Sequence, residues 1–175
     1  MKKFILTTIL FISLNSLSQT NFEWDIRVDL EDTKDVVYSK SKLFVAERWK
    51  SAKAVTEFDD KEAGIIMLKP LTIESVVISM SEYKYTFEYT VKLFQKENKS
   101  RLVIKDVRCT RAHVGGLWPL LPIGDKFPEE RGMKKTGMSR KKYESIMVDL
   151  KSTLQSIADS YVPFMEKPLV EEEDW

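Results

Sequence analysis

The clearest periodicity in the chain lies at 83–93, where Tyr83, Tyr85, Phe87, Tyr89, Val91 and Leu93 alternate with Lys84, Thr86, Glu88, Thr90 and Lys92. A period of two sends each set to its own face of a strand, so the aromatic-rich face is the one to bury and the polar face meets water. Residues 22–30 repeat the pattern, with Phe22, Trp24, Ile26, Val28 and Leu30 set against Glu23, Asp25, Arg27 and Asp29. Beyond a turn at 97–100, Leu102 to Thr110 return antiparallel to the long strand, and a change of parity near Lys105 marks a bulge. Val55–Phe58 and Gly64–Leu68 flank the polar run Asp59-Asp60-Lys61-Glu62 and read as another hairpin, with Pro70 ending its second strand. Residues 71–80 are apolar without a clear period and read as a connector or irregular strand.

Helical spacing occurs twice. Asp32 or Thr33 can cap a helix over about 33–51, in which Tyr38, Val45, Trp49 and Ala52 share a face with Phe44 beside them. Ser139 can cap a second helix whose Tyr143, Ile146, Met147, Leu150, Leu154, Ile157, Ala158 and Tyr161 follow the i, i+3, i+4, i+7 rule, and Pro163 is expected to stop it. Between the last strand and this helix, residues 111–138 are rich in glycine and proline and form a long loop. The order β-α-β-β-β-β-α predicts an α+β domain: an antiparallel sheet of about five strands with two helices on one face.

Composition fits one globular domain. The chain has 175 residues, 43% of them hydrophobic and 31% charged. Lys2 and Lys3 precede an apolar run from Phe4 to Leu14, too short to span a bilayer comfortably, and Ser16 and Ser18 supply small residues for a peptidase. This pattern predicts a signal peptide over 1–18, a domain over 19–163 and an acidic tail over 164–175; an uncut N-terminal anchor is the competing reading. No cysteine follows the apolar run, which argues against a lipid anchor, and no second apolar segment reaches spanning length. Loss of Lys2 and Lys3 takes the formal charge from +1 to about −1. Near-neutrality is not the footprint of a nucleic-acid binder. With one cysteine, no intrachain disulfide staples the fold.

Candidate chemistry is sparse. Cys109 is the only cysteine and His113 the only histidine. A thiolate nucleophile needs a base in reach and a group to orient it, whereas Cys109 shares its parity with Val103 and Val107 and reads as a small core residue on a strand. Two ligands fall short of a zinc set, and Gly115 and Gly116 lack the strand-then-helix context of a dinucleotide fingerprint. No cofactor is indicated. Trp118, Leu120 and Leu121 form an apolar stretch in the loop, which either caps an open end of the core or anchors a partner. Arg131, Lys134, Lys135, Arg140, Lys141 and Lys142 lead into the last helix with no acid among them. Cations at a helix N-terminus outline an anion site, or else a solvated basic face neutralised by the acidic tail.

Several of these pieces together resemble a known family. Tyr38 and Trp49 on the first helix, "AVTEFDDKEAGII" at 54–66, "YTVKLF" at 89–94, the return strand through Lys105-Asp106-Val107 and the amphipathic last helix are similar to the exported bacterial domain of unknown function with a TBP-like fold. The resemblance covers most of the mature chain but not the 111–138 loop, and it implies a fold rather than an activity, since the family is uncharacterised. A TBP-like fold suggests DNA, but minor-groove binding needs a basic sheet face and apolar wedges, and Lys84 and Lys92 here stand around Glu88 with threonines between. The expectation is an exported, non-enzymatic accessory or binding domain of the bacterial envelope that meets an envelope protein or an anionic ligand. The alternative is an envelope hydrolase using Cys109, His113 or Asp125.

Overall fold

The computed structural model describes residues 22–78, 80–113, 121, 123–124 and 138–169. Its elements run β1 Trp24–Asp29, α1 Lys34–Arg48, the one-turn α2 Ala52–Val55, β2 Thr56–Asp60, β3 Ile65–Leu68, β4 Leu71–Ile78, β5 Ser81–Lys96, β6 Lys99–His113 and α3 Arg140–Met165. The α+β expectation holds, with one more strand than the sequence pattern supplies. That strand is β4. Leu71, Ile73 and Val77 fill one face and Val76 and Ile78 the other, so an apolar residue on either side erased the alternation that normally reveals a strand.

The spine is the hairpin of β5 and β6, turned at Glu97 and Asn98, with Asn98 in the left-handed region at φ 58°. β1, β3 and β4 pair with it directly, and β2 joins through β3. The order is β1-β6-β5-β3-β2, and β4 joins the same side of β5 as β3, pairing with its N-terminal half while β3 pairs with the C-terminal half. Pro70 sits between the two, where a residue without an N–H interrupts the ladder without spoiling it.

The bulge expected near Lys105 is present. Thr90 faces Lys105 and Glu88 faces Arg108, so Asp106 and Val107 together oppose Tyr89, with Asp106 at φ 56°. It reverses the parity of β6: Leu102 and Ile104 face the core before it and Cys109 after it. Cys109 is therefore buried as expected, but not on the face that carries Val103.

Tyr85, Phe87, Tyr89, Val91 and Leu93 form the floor of the core, as their alternation predicts. Both long helices lie on that face. Thr33 caps α1, its hydroxyl accepting from Val36 N, while Asp32 instead pairs with the buried Lys40, whose ammonium also donates to the Met165 carbonyl at 3.0 Å. The buried side of α1 is Val37, Ser41, Phe44 and Val45; Tyr38 and Trp49 lie on its flanks. Ser139 is the N-cap of α3 through its carbonyl, which accepts from Lys142 N and Tyr143 N, and its side chain makes no cap bond. Pro163 does not stop α3. The helix continues to Met165, because so near its end proline removes one backbone bond, and burial of Met165 and the ring contacts of Phe164 hold the last turn. Phe164 and Met165 thus belong to the domain rather than to the tail. The predicted signal peptide over 1–18 and the acids of the tail from Glu171 to Asp174 lie outside the described residues.

One core position is poorly matched to its surroundings. Gln95 is buried on β5, and neither atom of its amide has a hydrogen-bond partner among the described residues. Replacing a buried, unsatisfied amide by an apolar side chain of similar length removes a desolvation cost, so Gln95→Met is expected to gain about 1 kcal/mol in urea unfolding.

Candidate functional site

The described residues among those that the sequence singles out do not gather at one place. Cys109 is only 8% exposed and its thiol approaches the Arg111 carbonyl at 3.6 Å; burial pushes its pKa up, against weaker hydrogen bonds from backbone groups. That is the opposite of an activated nucleophile. His113 ends the same strand opposite Lys84, and four residues of strand separate the two Cα atoms by roughly 12 Å. Leu121 is buried at 3% exposure in the core cluster with Met138, so at Leu121 the loop packs on the domain. Tyr143 fastens it there by donating to the Gly124 carbonyl at 2.9 Å. Arg140 and Lys141 are exposed in the first turn of α3, and the Lys142 ammonium donates to the Val77 carbonyl of β4 at 2.7 Å. The side chain of His113 and residues Trp118, Leu120, Asp125, Arg131, Lys134 and Lys135 lie outside the described residues. Among the described residues, no three of His, Cys, Asp and Glu gather as a set able to hold a metal ion.

What the fold does bring together is on the open face of the sheet, opposite the helices. Strand registers align two rungs across it. One runs Asp60, Ile65, Phe94, Arg101, Arg27; the next runs Phe58, Met67, Lys92, Val103, Asp25. Phe94 is the odd member of its strand face: an aromatic ring follows Lys84, Thr86, Glu88, Thr90 and Lys92 on the side that meets water. Beside it, a depression of about 440 Å³ is lined by Arg27, Asp29, Phe94, Lys96, Lys99 and Arg101, among others.

The electrostatics of this depression are built from mismatched pairs. Arg27 faces Arg101 across β1 and β6, and Lys96 faces Lys99 across the hairpin. Like charges placed opposite each other destabilise a sheet by a few tenths of a kcal/mol or more. Asp25 relieves one pair, accepting two bonds of 2.7 Å from Arg101 with Arg27 at 3.7 Å. The Arg101 guanidinium also lies 5.7 Å from the centre of the Phe94 ring. Four cations thus lie around one half-buried ring, with Asp25 and Asp29 interleaved.

The hydrogen bonds from Arg101 hold the Asp25 carboxyl below its usual range, outweighing the smaller opposing effect of burial. A carboxylate with a depressed folded-state pKa contributes stability above its unfolded value and loses it as pH falls through the folded value. In Arg101→Gln, the Asp25 pKa is expected to rise and acid unfolding to lose this component; a carboxyl NMR titration of the folded protein reads it directly.

Sequence reasoning passed over this face because each strand looked like an ordinary polar side. The readable signal was Phe94, which breaks the polar run two positions beyond Lys92. The other half, Arg27 opposite Arg101, needs the β1–β6 register, which no local pattern supplies.

Comparison with known proteins agrees with the architecture. A profile described as "domain of unknown function (DUF4468) with TBP-like fold" matches residues 24–110. Comparison with curated proteins finds no match. The fold is similar to the crystal structure of a DUF4468 family protein from Bacteroides ovatus, with TM-score 0.54 and 14% identity over 85% of this chain and 88% of that one. It is also similar to a TBP-like protein from Parabacteroides distasonis, with TM-score 0.53 and 9% identity over 83% and 95% of the respective chains. At such identities the likeness is one of fold. With the profile spanning β1 to β6 and the α+β architecture around it, this chain belongs to the DUF4468 family of domains of unknown function with a TBP-like fold.

Proposed function

We propose that this chain is an exported, non-enzymatic binding domain of the bacterial envelope, and that its open sheet face takes an acidic, partly apolar segment of an envelope protein. The observation that carries the reading is the cluster of Arg27, Lys96, Lys99 and Arg101 around the half-buried ring of Phe94. Arg101 is held by Asp25 and Lys99 faces Asp29 across β1 and β6, so the attraction for a carboxylate-bearing partner comes from the excess of cations over acids in this depression. Asp25 and Asp29 among the cations disfavour a uniformly phosphorylated surface, whereas Ile65, Met67, Phe94 and Val103 give apolar side chains of a partner somewhere to rest. The buried, protonated thiol of Cys109 supports a role without covalent chemistry. The export component rests on the basic, apolar and small-residue order of 1–18.

The test compares wild type with Arg27→Glu/Lys99→Glu, immobilised and exposed to envelope extract at low salt. A protein retained by wild type, released as salt rises and lost from the charge-reversed chain supports the reading. Identical retention by both chains overturns it. Cell fractionation addresses export: a full-length chain in the cytoplasm overturns that part, and an envelope chain with the mass of 19–175 supports it.

A further inference from the structure

We propose that two copies of this chain join edge to edge through β4, antiparallel about a twofold axis at Ser75, so that one sheet continues into the other. Among the described strands, β4 pairs with β5 alone. Ile78 faces Ser81 with only two residues between them, the closing pair of a tight hairpin, which turns the backbone groups of Thr72, Glu74, Val76 and Ile78 towards β5. Those of Leu71, Ile73, Ser75 and Val77 then point away. The bond from Lys142 to the Val77 carbonyl at 2.7 Å reaches this outward row and agrees with the assignment.

Natural edge strands are blunted by lysine, proline, bulges or brevity. β4 has eight residues in even register, no proline, no lysine and one charge, Glu74. On its open face Leu71, Ile73 and Val77 are 59%, 62% and 61% exposed, and Met80 beyond it is 99% exposed. An apolar edge of this length, touched by the Lys142 ammonium at Val77, is a pairing template.

The occupant follows from self-complementarity. With the axis at Ser75, the two serines face each other, and Ile73 of each copy meets Val77 of the other on the open face, covering side chains that water now touches. On the helix side, Glu74 meets Val76 of the second copy, so the two carboxylates do not oppose each other. A shift by one position to an axis at Glu74 would set them face to face. Charge agrees as well. Glu74 is half-buried; burial raises its pKa, the Thr153 hydroxyl bonded to it at 3.2 Å counters this, and Asp149 adds repulsion. Opposite Ile73, next to that acidic pair, the twofold places the second copy's Val77 with its Lys142. Pairing gives the Val77 carbonyl an Ile73 N–H in place of the ammonium, and Lys142 is released towards the carboxylates of the other copy.

The test is register-specific. Hydrogen-bonded antiparallel pairs have Cα atoms about 5.5 Å apart, inside the range a disulfide accepts. In a Cys109→Ala background, Ser75→Cys is expected to oxidise to a covalent dimer. Ile73→Cys alone is not, since its own copy lies roughly 13 Å away along the strand, whereas an equal mixture of Ile73→Cys and Val77→Cys chains is. Sedimentation of the untagged wild type is expected to show dimer at about 100 μM, where a weak contact is already populated, and the exposed substitution Val77→Lys is expected to abolish it. A wild type that sediments as a monomer there, or equal cross-linking by Ile73→Cys and Ser75→Cys alone, overturns the proposal.

Discussion

Phe44→Ala is expected to destabilise the domain by about 4 kcal/mol, the upper part of the range for truncating a buried aromatic residue. Phe44 is the ring that joins the two helices. It meets Tyr161 edge-on at 5.1 Å, Phe164 at 5.3 Å and Trp49 at 6.1 Å, and two of these partners lie on the last turns of α3. Alanine leaves a cavity under that end of the helix, where Pro163 has already removed a backbone bond. The loss is therefore not confined to transfer energy. Urea unfolding reads the total, and Phe44→Leu, which keeps most of the volume, is expected to cost less than half as much. Equal costs for the two variants would mean that the edge-on ring contacts, rather than volume, hold the helices together.

Gly64→Ala is expected to cost about 3 kcal/mol although it adds a single methyl group. Gly64 ends the turn between β2 and β3 at φ +65°, where an L-residue is strained, and an added Cβ would lie 2.3 Å from the Gln95 carbonyl oxygen. That oxygen belongs to the backbone of β5 and cannot swing aside. The Cβ would also sit 3.0 Å from Cε of Lys34, whose ammonium donates to the Glu62 carbonyl at 2.6 Å. The Gln95 N–H to Gly64 carbonyl bond of 2.9 Å must lengthen or break when the turn moves. Thermal unfolding is the simplest measurement, and an unchanged melting temperature would show that the turn can relax where the geometry leaves no room.

The parts of this fold that were legible in the sequence are those where burial is one-sided. The aromatic row of β5, the alternation of β1 and the apolar stripe of α3 each face the core on one side and water on the other, so a single period carries the information. β4 was hidden because it is apolar on both faces. Pro163 misled because its cost depends on how much helix follows it and what that turn packs against, and neither is a local property. The same limit applied to the candidate site. Cys109 and His113 drew attention by rarity, which is a property of composition, whereas the charged face around Phe94 is assembled from three strands whose registers are set by long-range pairing. Only Phe94, out of place on a polar strand face, left a trace that could be read in advance.

The attachment of β1 to β6 has a consequence for how the molecule comes to be folded. Asp29 pairs with Lys99, roughly 70 residues later, while β5 and β6 meet across a turn of two. Closing the short loop costs far less entropy than closing the long one, so the β5–β6 hairpin is expected to form early and to serve as the template on which β1 docks late. A chain emerging from the ribosome therefore carries β1 without a partner until residues 99–104 have been made. The first half of the polypeptide remains unable to complete its sheet for most of its synthesis, and the last 26-residue helix closes the structure over it.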